Sequence, residues 1–374
     1  MSRALDRPAT QEGLRRHNRR AVLRALYRGE ARSRSELALV TGLTKPTVST
    51  LVAELIAEGL VSEQGLGQSS GSGGKRPTLL RFETGARQVV GVSVGEGRAL
   101  GVLSDLAGEV SAMHVSHLGD EPSAAVLEVV AGLRAQLDAP LASVGVGLPG
   151  AQDGESLRGL EARVGVPVHV AGRAELGALG QLAFGGGSEG TLVSLVVDDG
   201  VEVGVCLAGG AVHYGSDLSA LAPRLDWRAV EDDLRAVLRD VSVTGAGGAS
   251  GPPGDASAQV GSASLRPGSL CLALRAAAAR GDPAAESARD GLAERLSQVL
   301  AWVVAALRPD QVALGGPLAE LGEPFLELLR SRLAARLPAW QLADLHLTLV
   351  YTQQVSAMGA VALAVQRELE LLFG

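Results

Sequence analysis

Residues 33 to 60 read SRSELALVTGLTKPTVSTLVAELIAEGL, and two helices joined by a tight turn follow from them residue by residue. Ser33 and Glu36 form an S-x-x-E capping box, in which the hydroxyl accepts from the Glu36 amide and the carboxylate accepts from the Ser33 amide, so a helix starts here. Leu37, Ala38 and Val40 give it a short apolar side. Thr41-Gly42-Leu43 breaks it, with Gly42 able to take a positive φ. Thr44 caps a second helix, and Pro46 fits its first turn, where a missing amide hydrogen has no helical partner. Val48, Leu51, Val52, Leu55 and Ile56 then recur at helical intervals. The spacing is that of a helix-turn-helix, and it leaves Lys45, Thr47, Ser49 and Thr50 facing outward. A recognition helix presents this N-terminal end to base edges and phosphates. Arg34, Thr44, Lys45, Pro46, Thr47, Ser49 and Thr50 are therefore the candidate contacts here.

The flanks favour this reading over an ordinary helical hairpin. Upstream, residues 17–28 predict a basic amphipathic helix with Val22, Leu23 and Leu26 inward and Arg15, Arg16, Arg19, Arg20 and Arg24 available to solvent. Downstream, Leu60 to Glu63 and Thr78 to Phe82 read as two strands flanking the tip QSSGSGGKRP. Lys75 and Arg76 on that tip suit a wing that touches phosphate or enters a minor groove; a solvated loop is the alternative.

Charge divides along the chain. Through Phe82 there are fourteen Lys and Arg against seven Asp and Glu, a net of +7; the remainder holds twenty against thirty-four, a net of −14. A basic head can neutralise phosphates, whereas an acidic body is repelled by a duplex. At 374 residues the chain exceeds one ordinary core, so we expect a head over residues 1–83, a first lobe over 84–187 and a second over 188–374. Cys206 and Cys271 form no C-x-x-C pair and read as buried thiols, not zinc ligands. The histidines show no metal-ligating spacing, and no metal or cofactor is expected. Neither a leader segment nor a long apolar run is apparent, which implies cytoplasmic residence.

Beyond the head, Gln88 to Val94, Ala99 to Ser104 and Val110 to Ser116 predict strands, followed by a helix from Ala124 to Gln136 and a strand from Ser143 to Gly147 ending in Leu148-Pro149-Gly150. The pattern returns from Leu192 to Val197 and Gly204 to Leu207, through a helix from Leu292 to Leu307, into Gln311 to Gly316. The fold class is α/β, with two halves that look like a duplicated lobe. Residues 244–264 are rich in Gly, Ser, Pro and Ala and read as a flexible insertion. Trp302 and Trp340 are expected to fill cores.

Taken together, NRRAVLRALYRGEARSRSELALVTGLTKPTVSTLVAELIAEGLVSE, the GGKRPTLL wing, GVSVGEGRALGVLSDLAGEV, VGVGLPG, LEARVGVPVHV, VALGG and SAMGAVALAV resemble the ROK family of repressors and sugar kinases, in its longer branch with an N-terminal winged helix. The resemblance implies a bilobal actin-like ATPase body whose C-terminal helix packs back on the first lobe. It also shows what is missing. Where family kinases carry Asp-x-Gly-Gly-Thr, this chain has Ser93-Val94-Gly95-Glu96-Gly97. The position of the family's catalytic Asp corresponds to Arg173, after Gly172, so no general base remains there for a sugar hydroxyl. The second phosphate loop reads Asp198-Asp199-Gly200-Val201-Glu202-Val203-Gly204, placing three carboxylates where phosphate would bind unless a cation bridged them. Neither residue of the Glu-x-Gly-His sugar motif follows Gly215, and the cysteine-rich zinc loop is absent. Gly315-Gly316 survives and reads as a tight turn; Asp153 could border a ligand cleft.

The expected function is a sequence-specific transcriptional regulator, a repressor, that binds a palindromic double-stranded DNA operator as a homodimer or higher homo-oligomer. Its body would be catalytically silent, with room for a small-molecule effector. The alternatives are a sugar kinase and a pseudokinase that binds a protein partner.

Overall fold

The computed structural model describes residues 11–27, 29–66, 76–95, 97–119, 121–149, 159–184, 190–197, 201–207, 212–217, 232, 234–236 and 267–371. The head comprises α1 (Gln11–Leu26), β1 (Arg32–Ser33), α2 (Arg34–Thr41), α3 (Lys45–Ala57), β2 (Val61–Leu66) and β3 (Thr78–Phe82), its strands ordered β1-β3-β2. The capping box forms: the Ser33 amide donates to Glu36 Oε2 at 2.7 Å, and the Glu36 amide donates to the Ser33 hydroxyl at 3.3 Å. Gly42 ends α2 at φ 71°, and Thr44 caps α3. Val22, Leu23, Leu26, Leu37, Val48, Leu51, Val52, Leu55 and Leu80 are buried, and Tyr27 meets Phe82 edge to face at 5.3 Å. Val40, expected to face inward, is exposed. It lies about 110° around the helix from the midpoint of Leu37 and Ala38, taking 3.6 residues per turn.

After a short 3₁₀ turn at Thr84–Ala86, the body begins with β4 (Gln88–Gly95), β5 (Arg98–Asp105), β6 (Val110–His117), α4 (Pro122–Arg134), β7 (Leu141–Leu148), α5 (Leu160–Val164), β8 (Val168–Gly172) and α6 (Arg173–Phe184). It continues with β9 (Leu192–Val197), β10 (Val201–Cys206), β11 (Val212–Asp217), α7 (Pro267–Ala279), α8 (Pro283–Leu307), β12 (Gln311–Gly315), α9 (Glu323–Ala334), α10 (Ala339–Leu342), β13 (His346–Leu349) and α11 (Thr352–Leu369). The two five-stranded sheets run β6-β5-β4-β7-β8 and β11-β10-β9-β12-β13. In each, an antiparallel meander of three strands is extended by two parallel ones. The same order twice is the duplication visible in the sequence. Residues 244–264 lie outside the described residues.

Each lobe's last helix packs on the other lobe's sheet. α6, following β8, lies against β9, β10 and β11; α11, following β13, lies against β4, β5 and β7; the two helices also pack on each other. This close approach requires bare backbone. A Cβ on Gly145 of β7 would overlap the Ala360 carbonyl of α11, and one on Gly359 of α11 would overlap the Leu176 carbonyl of α6. The outer faces are covered separately. Val126, Val129, Val130 and Leu133 of α4 fill one side, and α7, α8 and α9 cover the other with Leu274, Leu296, Leu300, Phe325 and Leu329.

The head is joined to this framework, since its apolar cluster runs without a break into Val89, Leu106, Val361, Val365, Leu369 and Leu371. Tyr27 Oη donates to the Leu106 carbonyl at 2.8 Å and Arg20 pairs with Glu370 at 3.1 Å; just past the head, Arg87 pairs with Glu368. Cys206 and Cys271 are buried; burial raises both thiols, Cys271 to about 12. Trp302 and Trp340 do not fill cores, being 79% and 59% exposed. Leu292, Leu296, Leu300 and Val304 form the buried edge of α8 at four-residue spacing. Trp302, two residues after Leu300, falls on the opposite side. The Arg308 guanidinium covers the Trp340 ring at 4.7 Å. No described helix is long and apolar enough to cross a membrane.

Gly145→Ala should destabilise the protein by about 1–3 kcal/mol, because the added methyl meets backbone and not a side chain that can rotate away. Gly291→Ala, in a helical position with open space around it, should be neutral or stabilising. Urea denaturation of the pair checks both. Ser33→Ala should cost about 1 kcal/mol through loss of the cap. The hydrogen bonds from Ser33 hold the Glu36 carboxyl below its ordinary value. Its folded-state pKa is thus depressed, so the stabilisation is present above the ordinary carboxylate range and is lost as pH falls through the folded value. Thermal melts between neutral and acid pH should show a smaller acid loss in Ser33→Ala than in the wild type.

Candidate nucleic-acid interface

The first turn of α3 stands at the surface, with Thr44, Lys45, Pro46, Ser49 and Thr50 exposed and Thr47 half-buried. Its hydroxyls are already organised. Thr44 Oγ1 lies 2.9 Å from Thr47 Oγ1 and accepts the Thr47 amide at 3.4 Å, while Thr50 Oγ1 donates to the Pro46 carbonyl at 3.2 Å. These bonds fix rotamers and leave Lys45 and Ser49 as the most outward polar groups. Thr47 and Thr50 instead border an open groove of about 810 Å³ between α1 and α3, with Leu14, Arg15 and Asn18 opposite. Of the four residues expected to face outward, Lys45, Ser49 and Thr50 are exposed and Thr47 is half-buried. The N-terminal end of α3 also carries the positive end of the helix dipole, which with Lys45 suits an anion.

The arginines of α1 serve a different purpose from the one expected. Arg15 pairs with Glu54 at 2.6 Å and Arg19 with Glu58, two rungs that tie α1 along α3. Arg16 pairs with Glu12 at 2.9 Å and Arg20 with Glu370 at 3.1 Å. They are solvent-accessible to varying degrees, yet each is committed to a carboxylate. Pairs this exposed contribute little stability; their effect is to orient the helix. Arg34 likewise pairs with Glu63 of β2 at 2.9 Å, so it braces the wing strand against α2. Arg76 is exposed at the start of the segment entering β3. Lys75 lies outside the described residues. Among the described residues no ion pair is recorded for Lys45 or Arg76.

In the body, the position expected to lack a catalytic base is filled by a cation. Arg173 is the first residue of α6 and is only 1% exposed. Its Nη2 donates to Glu202 Oε1 of β10 at 3.2 Å, and its guanidinium lies against Gly95 at the end of β4, where it fills the space a Cβ would take. Glu202, expected to face a phosphate, faces this guanidinium. Beside it, Gln353 of α11 donates to the Gly95 carbonyl and accepts from Arg98 Nε at 2.5 Å. Thr352 accepts the Gly316 amide, which makes the Gly315-Gly316 turn a packing feature. A cavity of about 140 Å³ lined by Arg98, Gly316, Glu320, Tyr351, Thr352 and Gln353 adjoins this turn. Glu96, Asp153, Asp198 and Asp199 lie outside the described residues. Arg98 and Gln353 were not singled out in the sequence, which offers no local sign that residues so far apart meet.

Comparison with known proteins follows the same division. Residues 13–67 match the MarR family and residues 268–367 match the ROK family. The xylose repressor of Bacillus subtilis is 28% identical over 222 residues, covering 53% of this chain and 57% of the repressor. The xylose repressor of Caldicellulosiruptor bescii is 29% identical over 215 residues, covering 51% and 53%. The chain thus spans just over half the length of these curated relatives. Among solved structures, a ROK family transcriptional regulator described as a homologue of the E. coli MLC protein superposes with a TM-score of 0.70 at 19% identity, over 95% of this chain and 98% of that one. A ROK family glucokinase from Streptomyces griseus, in complex with glucose and AMPPNP, gives 0.54 at 19% identity, over 75% and 99%. The fold is shared with both, and the glucokinase match leaves a quarter of this chain uncovered. The chain thus combines a MarR-like helix-turn-helix segment near its N-terminal end with a segment over residues 268–367 that is similar to the ROK family.

Proposed function

We propose that the protein is a sequence-specific DNA-binding regulator, a repressor, whose kinase-like body is catalytically silent. The observation that carries this reading is α3, whose first turn is capped and exposed and whose C-terminal half is braced by two ion-pair rungs from α1. Lys45 and Ser49 would contact the major groove, with Thr44, Pro46, Thr47 and Thr50 shaping the approach of the helix end. Arg76, together with Lys75, would reach phosphate or the minor groove from the wing. Arg34 acts through Glu63, as a positioning residue. The head would comprise residues 1–83 and the lobes 84–187 and 188–374. A homodimer would set two heads on a palindromic operator with half-sites one helical turn, about 34–36 Å, apart. The sense of regulation comes from the names of the aligned repressors. A small-molecule effector fits this scheme, and the missing Glu-x-Gly-His motif argues against hexoses. Cytoplasmic residence accords with a DNA partner.

The kinase alternative meets a specific obstacle. A base must accept the proton of the attacking hydroxyl, and Arg173, permanently charged, cannot.

Duplexes selected by the wild-type protein from a random pool provide the probe. Fluorescence anisotropy across a salt series should show Lys45→Ala and Arg76→Ala binding more weakly than wild type. A lost phosphate contact lowers the salt slope by about one, and a lost base contact costs about 1–3 kcal/mol and relaxes sequence preference. Failure of the wild type to enrich any duplex would remove the regulator reading. In a coupled assay with ATP and glucose, no turnover above buffer is expected, and Arg173→Asp alone should not produce it. Turnover by the wild type would restore the kinase reading.

A further inference from the structure

The first residue of a helix is an unfavourable place for a buried cation, because the helix dipole already makes that end positive. Arg173 occupies such a position on α6. Its charge is compensated from the opposite lobe by Glu202 of β10, while its guanidinium rests on Gly95 of β4. One side chain therefore touches both five-stranded sheets at once, in the space between lobes that close around ligands in proteins of two-lobed architecture. The same point carries the N-terminal end of α11, through Gln353 on the Gly95 carbonyl. The helix is eighteen residues long, roughly 27 Å at 1.5 Å per residue, and its other end holds the head. There Glu370 accepts from Arg20 of the head, and Glu368 accepts from Arg87, just past the head.

We propose that Arg173 is an internal clasp that stands in for a bound ligand: by engaging Gly95 and Glu202 together it holds the two lobes in one closed arrangement, and α11 transmits that arrangement to the DNA-binding head. A lobe angle otherwise set by an effector is here set by the chain itself. The transmission half of this proposal rests on the regulator reading; the clasp does not.

Two variants break the clasp by different routes. Glu202→Gln keeps the shape and removes the opposing charge. Gly95→Ala keeps both charged residues and adds a methyl where the guanidinium lies; the obstructing atoms are the far end of a flexible side chain, so the sheet itself should survive. Hydrogen exchange by mass spectrometry on the full chain should show exchange at least tenfold faster in β4–β5 and in β9–β10 for both variants, with α4 and α8 on the outer faces unchanged. Affinity for the selected duplex should fall fivefold or more. Unchanged exchange at either pair of strands would overturn the clasp, and faster exchange with unaltered affinity would overturn the transmission. If the wild type selects no duplex, the regulator reading and the transmission fall together, while the exchange pattern still decides the clasp.

Discussion

The carbonyl of Ala360 in α11 sits where a side chain on Gly145 would have to be, and the carbonyl of Leu176 in α6 does the same at Gly359. Backbone packed against backbone in this way leaves α11 a single seat between β4, β7 and α6. Because each lobe's last helix is seated on the other lobe's sheet, neither lobe completes its core alone. The two sheets are held at a separation set by helix backbone and not by adaptable side chains, and interiors packed this closely transmit displacement instead of absorbing it. The cleft, the buried ion pair and the attachment of the head all take their positions from that seat.

Two consequences meet at the ends of α11. At its N-terminal end the polar groups Thr352 and Gln353 close the turn at Gly316 and the end of β4. Arg173 completes the closure with a charge that would repel no anion but is already satisfied by Glu202. At its C-terminal end, Leu369 and Leu371 join the apolar cluster of the head, and Glu370 draws in Arg20. A head bound through a shared apolar core and an ion pair has a defined orientation on the body.

Much of the head was legible in its residues, because caps and turns are decided within a few positions of chain. Ser33 with Glu36, Gly42, and Thr44 with Pro46 each satisfy or vacate local backbone groups, and the helices start and stop where those residues said. The repeated strand order of the lobes could be anticipated for a related reason, since alternating apolar runs and Gly or Pro breaks are local signals too. The failures were of a different kind. Trp302 was assigned to a core by its type, but its place on α8 is two residues from Leu300, on the solvent side. The arginines of α1 were counted as available charge, but Glu54, Glu58 and Glu370 lie beside them in space at distances the sequence does not encode. Lys75, Asp153, Asp198 and Asp199 fall outside the described residues.

By itself, the sequence determined the helix-turn-helix and the two-lobed α/β plan, which depend on residue type and short-range spacing. Only the tertiary structure decided that Arg173 meets Glu202 across the cleft, that Gly145 and Gly359 are contact points for helix backbone, and that α11 runs from the cleft to the head. Those facts depend on which segments are neighbours after folding. Residues 173 and 202 bring opposite charges together because α6 crosses to the other lobe's sheet, and that crossing is fixed by the close fit of backbone on backbone.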